Sequence, residues 1–269
     1  MSSFAAAVAS LTGVAEGQLQ RLAAESVSEV LLVPRPGEAP LVAKSGPALA
    51  VEAAMLRAIF AAGLPAPAVQ AEHGNVLLLE HIENDGVFSP NAWADVGAQT
   101  RRLHETTGAA FGWPVDYAIG TVALDNRERQ DWPRFWGEQR LMATAAILDR
   151  PWRERVDALA ARLDELLPAS PPAALLHGDL WTGNMLVRDG RLVGLIDPAC
   201  YYGDAEVDLA MLDLFCAPPD SFLEAYGPLA EGWRERRPIY QLFPALAHVR
   251  LWGAGYYRMV DRLLMQLGF

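Results

Sequence analysis

The sequence predicts an α+β chain of two lobes. A small antiparallel sheet crossed by one helix is expected over residues 1–84, and a larger, mainly helical lobe over residues 85–269. Three observations lead there. Short apolar runs separated by turn residues fill the first eighty positions, with one longer helical pattern among them. Most of the remainder carries apolar residues at helical spacing. Between two such helical stretches, residues Leu175 to Leu212 spell a strand, a polar loop and a hairpin whose polar residues recur at the same end.

In chain order, Phe4 to Leu11 is an Ala-rich helix closed by Thr12-Gly13. Leu19 to Ala24 and Val27 to Val33 pair as strands, and Pro34-Arg35-Pro36-Gly37 turns the chain into a third, Leu41 to Lys44. The helix Ala48 to Ala62 stops at Gly63. Val69 and Val76 to Leu79 flank His73-Gly74-Asn75 as a hairpin. Glu80 to Asn84 then reads as a hinge, and Asp85 to Pro90 as the lobe boundary. Helices are expected over Asn91 to Thr107, from Asp131-Trp132-Pro133 onward, and over Trp152 to Leu167. Further helices follow over Leu209 to Phe215 and Ser221 to Tyr226, and Ile239 to Leu267 is a long aromatic-rich stretch. The stretch Tyr117 to Gly120 reads as a loop.

Composition narrows the partners. A net charge of −11 disfavours nucleic acid and anionic membrane, which both attract basic surfaces. No apolar run reaches the ~18 residues of a membrane span, and the Ala-rich start lacks the basic residues of a secretory signal. The two cysteines, Cys200 and Cys216, supply neither a disulfide framework nor a zinc spacing. The expected setting is the reducing cytoplasm.

The chemistry resides in His177-Gly178-Asp179-Leu180-Trp181-Thr182-Gly183-Asn184 and the Asp197 that ends the following hairpin. An Asp, four residues, an Asn, and an Asp after the next strand match the spacing of the protein-kinase catalytic loop and its metal-binding position. Asp179 is the candidate to accept the proton of an attacking hydroxyl. Asn184 and Asp197 are hard oxygen donors suited to Mg2+ on a triphosphate. Lys44 at a strand end and Glu52 one turn into the next helix fit the ion pair that meets the α/β phosphates of ATP in a protein-kinase-like fold. Trp181, two residues past Asp179, is expected to wall the acceptor pocket. Asp204 and Glu206 are candidates to meet an amine on the acceptor, and Asp208 to hold the catalytic loop by its amides.

His177-Gly178-Asp179-Leu180-Trp181-x-Gly183-Asn184, Asp197-Pro198-Ala199-x-Tyr201-Tyr202-Gly203 and Glu206-x-Asp208-Leu209-Ala210 together resemble the fructosamine kinase (ketosamine 3-kinase) family. The His-Gly-Asp…Asn…Asp pattern alone is shared with aminoglycoside and choline phosphotransferases; Leu-Trp after the Asp and Tyr-Tyr-Gly after Asp-Pro-Ala are particular to fructosamine kinases. The resemblance implies ATP and Mg2+ as cofactors, and the backbone of Glu80, His81 and Ile82 at the adenine edge. It also places Asp131-Trp132-Pro133 in an insertion near a sugar pocket, with Trp132 as a candidate substrate contact, and His104 in a structural role. The family's Gly-rich flap has no glycine here: Ala23 to Glu29 offers Ser26 and Ser28 instead. Ser26 stands where some members carry a subunit-linking cysteine, and a monomer or weak dimer is the expectation.

The resemblance implies a ketosamine acceptor, phosphorylated on the 3-hydroxyl of its sugar, as in ribulosamine or fructosamine. An aminoglycoside, choline or another amino-alcohol fits the same acidic lip. A nucleotide-binding protein without turnover is the third reading, suggested by the glycine-free flap.

Overall fold

The computed structural model describes residues 3–24 and 28–269. Ser3 caps α1 (Phe4–Thr12) by accepting from Ala6 N at 3.1 Å, and Gly13 ends it in the left-handed region. Five antiparallel strands follow: β1 (Gln20–Ala24), β2 (Glu29–Val33), β3 (Leu41–Lys44), β4 (Val69–His73) and β5 (Val76–Glu80). They lie in the order β1-β2-β3-β5-β4, and α2 (Leu49–Ala61) joins β3 to β4. The unbroken apolar run of β5 follows from burial on both faces. Val76 and Leu78 join the cluster of Val8, Leu31, Val33, Leu41 and Ala43, whereas Leu77 and Leu79 pack with Leu49, Ala53, Leu56 and Ile59 of α2.

Helix α3 (Pro90–His104) begins with Ser89 accepting from Ala92 N at 3.2 Å and a proline in its first turn, where the missing N–H costs nothing. Residues expected as a loop form instead a short hairpin, β6 (Tyr117–Ile119) with β7 (Val122–Leu124). Its period is too short to be seen in the sequence. Asp131 caps α4 (Trp132–Trp136), which runs on through a π-helical stretch, Gly137–Met142, into α5 (Ala143–Ala145). The single helix expected over Trp152 to Leu167 is two, α6 (Arg150–Ala160) and α7 (Leu163–Leu166).

The central strand β8 (Ala174–Leu176) leads to the hairpin of β9 (Met185–Arg188) and β10 (Arg191–Leu195), then to β11 (Tyr201–Gly203), which pairs back onto β8. The β9–β10 turn is Asp189-Gly190 with φ of 51° and 76°, the left-handed pair that a two-residue hairpin requires. Helices α8 (Glu206–Phe215), α9 (Asp220–Tyr226), α10 (Trp233–Trp252) and α11 (Tyr257–Gln266) complete the chain. Gly253 divides the aromatic-rich stretch Ile239 to Leu267 between the last two helices. None of the helices among the described residues is long and apolar enough to cross a membrane.

The hydrophobic interior does not stop at the hinge. Leu56 and Ile59 of α2 and Leu77 of β5 share one cluster with Trp93 and Val96 of α3, Leu175 of β8 and Leu195 of β10. The second large cluster lies in the helical part, around Trp132, Phe135, Trp136, Tyr201 and Tyr240. Cys200 is buried and Cys216 half-buried, both as free thiols.

Candidate active site

The apolar strand β8 is buried along its whole length and delivers the chain to His177. Asp208, fully buried on α8, then holds the loop. Its carboxylate accepts from His177 N at 2.7 Å and Gly178 N at 2.9 Å, and faces His104 Nε2 at 3.2 Å. The other ring nitrogen of His104 meets the Tyr226 hydroxyl at 2.9 Å, so this buried imidazole is a strut, as expected. Gly178 adopts φ +81°, and a Cβ there would stand 2.1 Å from Ala199 O; no side chain fits.

His177 ties the loop to the second acid. Asp179 N–H donates to Nδ1 at 3.3 Å, which assigns the ring proton to Nε2, 3.0 Å from Ile196 O. Burial lowers the pKa of this imidazole and keeps it neutral, matching one donor and one acceptor. Asn184, presented by the turn Thr182–Asn184, donates from Nδ2 to both Asp179 O and Asp179 Oδ2 at 2.9 Å. Its Oδ1 is thereby left as a lone acceptor. The Asn184 carbonyl also receives Ile196 N at 3.0 Å, so residues 179, 184 and 196–197 are one hydrogen-bonded unit. Asp197 itself is half-exposed, with φ of 52°, an uncommon conformation for a residue with a side chain.

The sheet lobe reaches this unit through Lys44. Its ammonium lies 2.8 Å from Glu52 Oε1 and 2.5 Å from Asp197 Oδ1. Burial pulls the ammonium down in pKa, but the Asp197 and Glu52 carboxylates outweigh it, and Lys44 stays charged well above its ordinary value. Burial raises Glu52, opposed by Lys44. One cation thus joins strand β3, helix α2 and Asp197, two residues past β10.

Among the described residues, no three His, Cys, Asp or Glu side chains gather as a metal site. The donor set nonetheless fits magnesium, which dehydrates reluctantly and is held by one or two protein oxygens together with phosphate and water. Asn184 Oδ1 and the Asp197 carboxylate would supply that pair.

Ser26 lies outside the described residues. Ser28 is half-buried before β2, whose first residue exchanges hydrogen bonds with Ser45, the neighbour of Lys44: Glu29 N to Ser45 Oγ at 2.9 Å and Ser45 N to Glu29 O at 3.0 Å. Glu80 ends β5 and accepts from Ala68 N at 3.1 Å, so its side chain braces the sheet edge. His81 lines an open cavity of ≈ 450 Å³ with Glu83, Asn84, Asp85, Arg188 and Asp189. Ile82 packs onto Gly194 of β10, where a Cβ would stand 2.7 Å from Ile82 Cδ1. The hinge is tied down by Asp85 N donating to Val187 O at 3.0 Å.

The fructosamine kinase family model matches residues 46–268, most of the chain, including the stretch from His177 to Asp208 but not Lys44. The chain belongs to the fructosamine kinase family. A protein of Synechocystis named a probable ketoamine kinase is 35% identical over 197 residues, covering 71% of this chain and 66% of its own length. The chloroplastic protein-ribulosamine 3-kinase of Arabidopsis thaliana is 34% identical over 197 residues, covering 68% of this chain and 59% of its own. These alignments therefore span about two thirds of the curated relatives or less. A solved Thermobifida fusca structure named for a fructosamine-3-kinase superposes with a TM-score of 0.88 at 33% identity, covering 98% of both chains.

Of the four side chains expected to meet an acceptor in this fructosamine kinase family chain, one keeps an open surface and three do not. Trp181 is 40% exposed; its indole lies over Gly183, where a Cβ would meet the ring at 2.3 Å. It borders a cleft of ≈ 520 Å³ with Asn84, Gly86, Phe88, Trp93 and Cys216. Trp132 has no exposed surface: its Nε1–H donates to the Tyr240 hydroxyl at 2.9 Å, within the aromatic core. The Tyr240 hydroxyl in turn donates to Asp204 Oδ2 at 2.7 Å, while Asp204 Oδ1 accepts from Glu206 N at 3.0 Å. Glu206 is held bidentately by Arg236 at 2.9 and 2.5 Å. The acids expected to meet an amine are thus buried and satisfied by the protein, and Trp132, Asp204 and Glu206 are corrected to structural roles. A signal for this was available: acids immediately before an apolar helical run are the signature of a helix start.

Proposed function

We propose that this chain is an ATP-dependent kinase that transfers the γ-phosphoryl group to a sugar hydroxyl of a ketosamine, with ribulosamine- or fructosamine-type adducts as acceptors. The observation that carries the reading is the double contact of Lys44 with Glu52 and Asp197 beside the Asn184–Asp179 hydrogen bonds. In kinases of this architecture the Lys–Glu pair and the metal-holding Asp must both be in place for phosphoryl transfer, and the contacts of Lys44 with Glu52 and Asp197 support that reading. Family membership and the name of the ribulosamine 3-kinase relative support the acceptor class.

Asp179 accepts the proton of the attacking hydroxyl as its oxygen bonds to the γ-phosphorus and the bond from that phosphorus to the β–γ bridging oxygen breaks, releasing ADP. Lys44 meets the phosphates, oriented by Glu52. Asn184 and Asp197 would hold magnesium, which when bound to the nucleotide offsets charge on the β- and γ-phosphoryl oxygens. Trp181 offers an apolar ring to the carbon face of the sugar, and the closed hairpin turn at Asp189-Gly190 keeps Asp197 in register with Asn184.

A coupled assay of ADP release across ribulosamines, fructosamines, an aminoglycoside and choline tests the reading. Turnover with a ketosamine and none with the others is expected. Turnover confined to the aminoglycoside or choline would transfer the chain to another acceptor class, and nucleotide binding without any turnover would remove the kinase reading. Asp197→Ala is expected to weaken nucleotide binding at least ~10-fold in the presence of magnesium and much less in its absence. Titration calorimetry with and without the metal checks this; equal affinities in both proteins refute the assignment.

A further inference from the structure

Two cavities meet at Asn84 of the hinge, and their linings differ in kind. The one beside His81 is charged, with Glu83, Asp85, Arg188 and Asp189 around it. The second, the cleft of ≈ 520 Å³, has no Asp, Glu, Lys, Arg or His among the described residues that line it. Its walls are Phe88, Trp93, Trp181, Met185, Leu186 and Cys216, and its polar side chains are those of Asn84 and Thr182. A concavity of this composition accepts apolar groups and disfavours a carboxylate, for which it holds no cation.

The cleft is fixed in shape and joined to the reacting centre. The rings of Phe88 and Trp93 lie 4.9 Å apart, and Phe222 meets Trp93 edge-on at 6.1 Å. Val87 N donates to Asp85 Oδ1 at 2.8 Å and Ser89 N to Val87 O at 2.9 Å, which sets the turn that carries Phe88. Trp181 is seated on Gly183, whose missing side chain is what admits the indole. Trp181, Thr182 and Gly183 are three of the four residues between Asp179 and Asn184. Asn184 N donates to Trp181 O at 3.0 Å while Asn184 Nδ2 donates to Asp179 Oδ2 at 2.9 Å, so one residue links the wall of the cleft to the base. Yet Lys44, Asp179, Asn184 and Asp197 do not line it. The cleft adjoins phosphoryl transfer without taking part in it, which suits the end of an acceptor that does not react.

We propose that this cleft binds the substituent on the amine nitrogen of the ketosamine, and that it selects acceptors in which that substituent is an apolar arylalkyl or alkyl group over those built on the α-amine of an amino acid. A ketosamine has two ends. Its sugar carries the hydroxyl that reaches Asp179, and beyond Trp181 its nitrogen bears the group that meets Phe88, Trp93 and Cys216. An α-amino acid places a carboxylate one carbon from that nitrogen, where it would lose water and gain no cationic partner. The inference rests on the ketosamine reading above and adds to it the class of amine.

The test uses two ketosamines with the same sugar, one made from phenethylamine and one from glycine. Wild type is expected to show a KM at least ~10-fold lower for the phenethylamine adduct, the scale on which a hydrophobic site rewards an added apolar group. In Phe88→Ala the ratio of the two KM values is expected to fall to within about threefold of one. A second measurement needs neither variant nor turnover: alkylation of Cys216 by iodoacetamide, read by mass, with the buried Cys200 as the unreactive thiol. At saturation, and with magnesium and a non-hydrolysable ATP analogue present, the phenethylamine adduct is expected to slow this alkylation at least ~5-fold, and the magnesium–nucleotide alone less than about twofold. Protection by nucleotide alone assigns the cleft to the nucleotide, and a KM preference without protection places the substituent elsewhere. Either result overturns the inference, as do equal KM values in wild type or an unchanged ratio in Phe88→Ala, and all of them leave the ketosamine reading standing. Failure of that reading shows instead as no turnover of either adduct by wild type, and overturns both.

Discussion

Asp179→Asn is expected to lower the rate of phosphoryl transfer by ~10²- to 10⁴-fold, the range that a positioned general base contributes. The substitution preserves shape and the possibility of a hydrogen bond to Asn184, which now donates to Asp179 Oδ2 at 2.9 Å, but it removes the proton acceptor. Magnesium–ATP affinity is expected to stay within a few-fold of wild type, because Lys44, Asn184 and Asp197 are untouched. Single-turnover kinetics at saturating nucleotide, with calorimetry alongside, separates the two quantities. A rate near wild type in this variant removes Asp179 as the base.

Asp208→Asn is expected to lose both stability and activity, although residue 208 touches no reacting atom in the scheme. The carboxylate now accepts from two backbone amides of the catalytic loop and faces His104. An amide of the same shape keeps one oxygen and turns an N–H2 group toward a donor, leaving buried polar groups unpaired. Each such orphan costs about 1–3 kcal/mol, so a loss of roughly 2–4 kcal/mol is expected in denaturant unfolding. With its anchor gone, the 177–179 loop is no longer held for attack, and kcat is expected to fall at least ~10-fold. A variant with wild-type unfolding midpoint and wild-type kcat would show that the loop is held by other means.

Much of the fold and part of the site were legible because they depend on local chemistry. Gly63 and Gly13 stop helices where φ must be positive, Asp189-Gly190 selects a two-residue hairpin, and Asp131-Trp132-Pro133 starts a helix. The spacing from Asp179 to Asn184 survives intact because it lies on one continuous loop and turn. Legibility failed where a property depends on what lies opposite in space. Asp204 and Glu206 look like any acids near an active-site motif, and only Tyr240 and Arg236, distant in sequence, show that their charge is already met inside the protein. Trp132 carried the same ambiguity, since an aromatic ring can line a pocket or fill a core. The β6–β7 hairpin went unseen because three-residue strands carry no readable period.

By itself the sequence determined the α+β order of elements, the family, and the candidate side chains for phosphoryl transfer, since these follow from residue type and short-range spacing. Only the tertiary structure decided that Lys44 joins Glu52 to Asp197, and that the hydrophobic interior runs through the hinge. The reason is physical: backbone propensity acts over a few residues, whereas burial and charge pairing are set by partners that up to 153 positions separate along the chain.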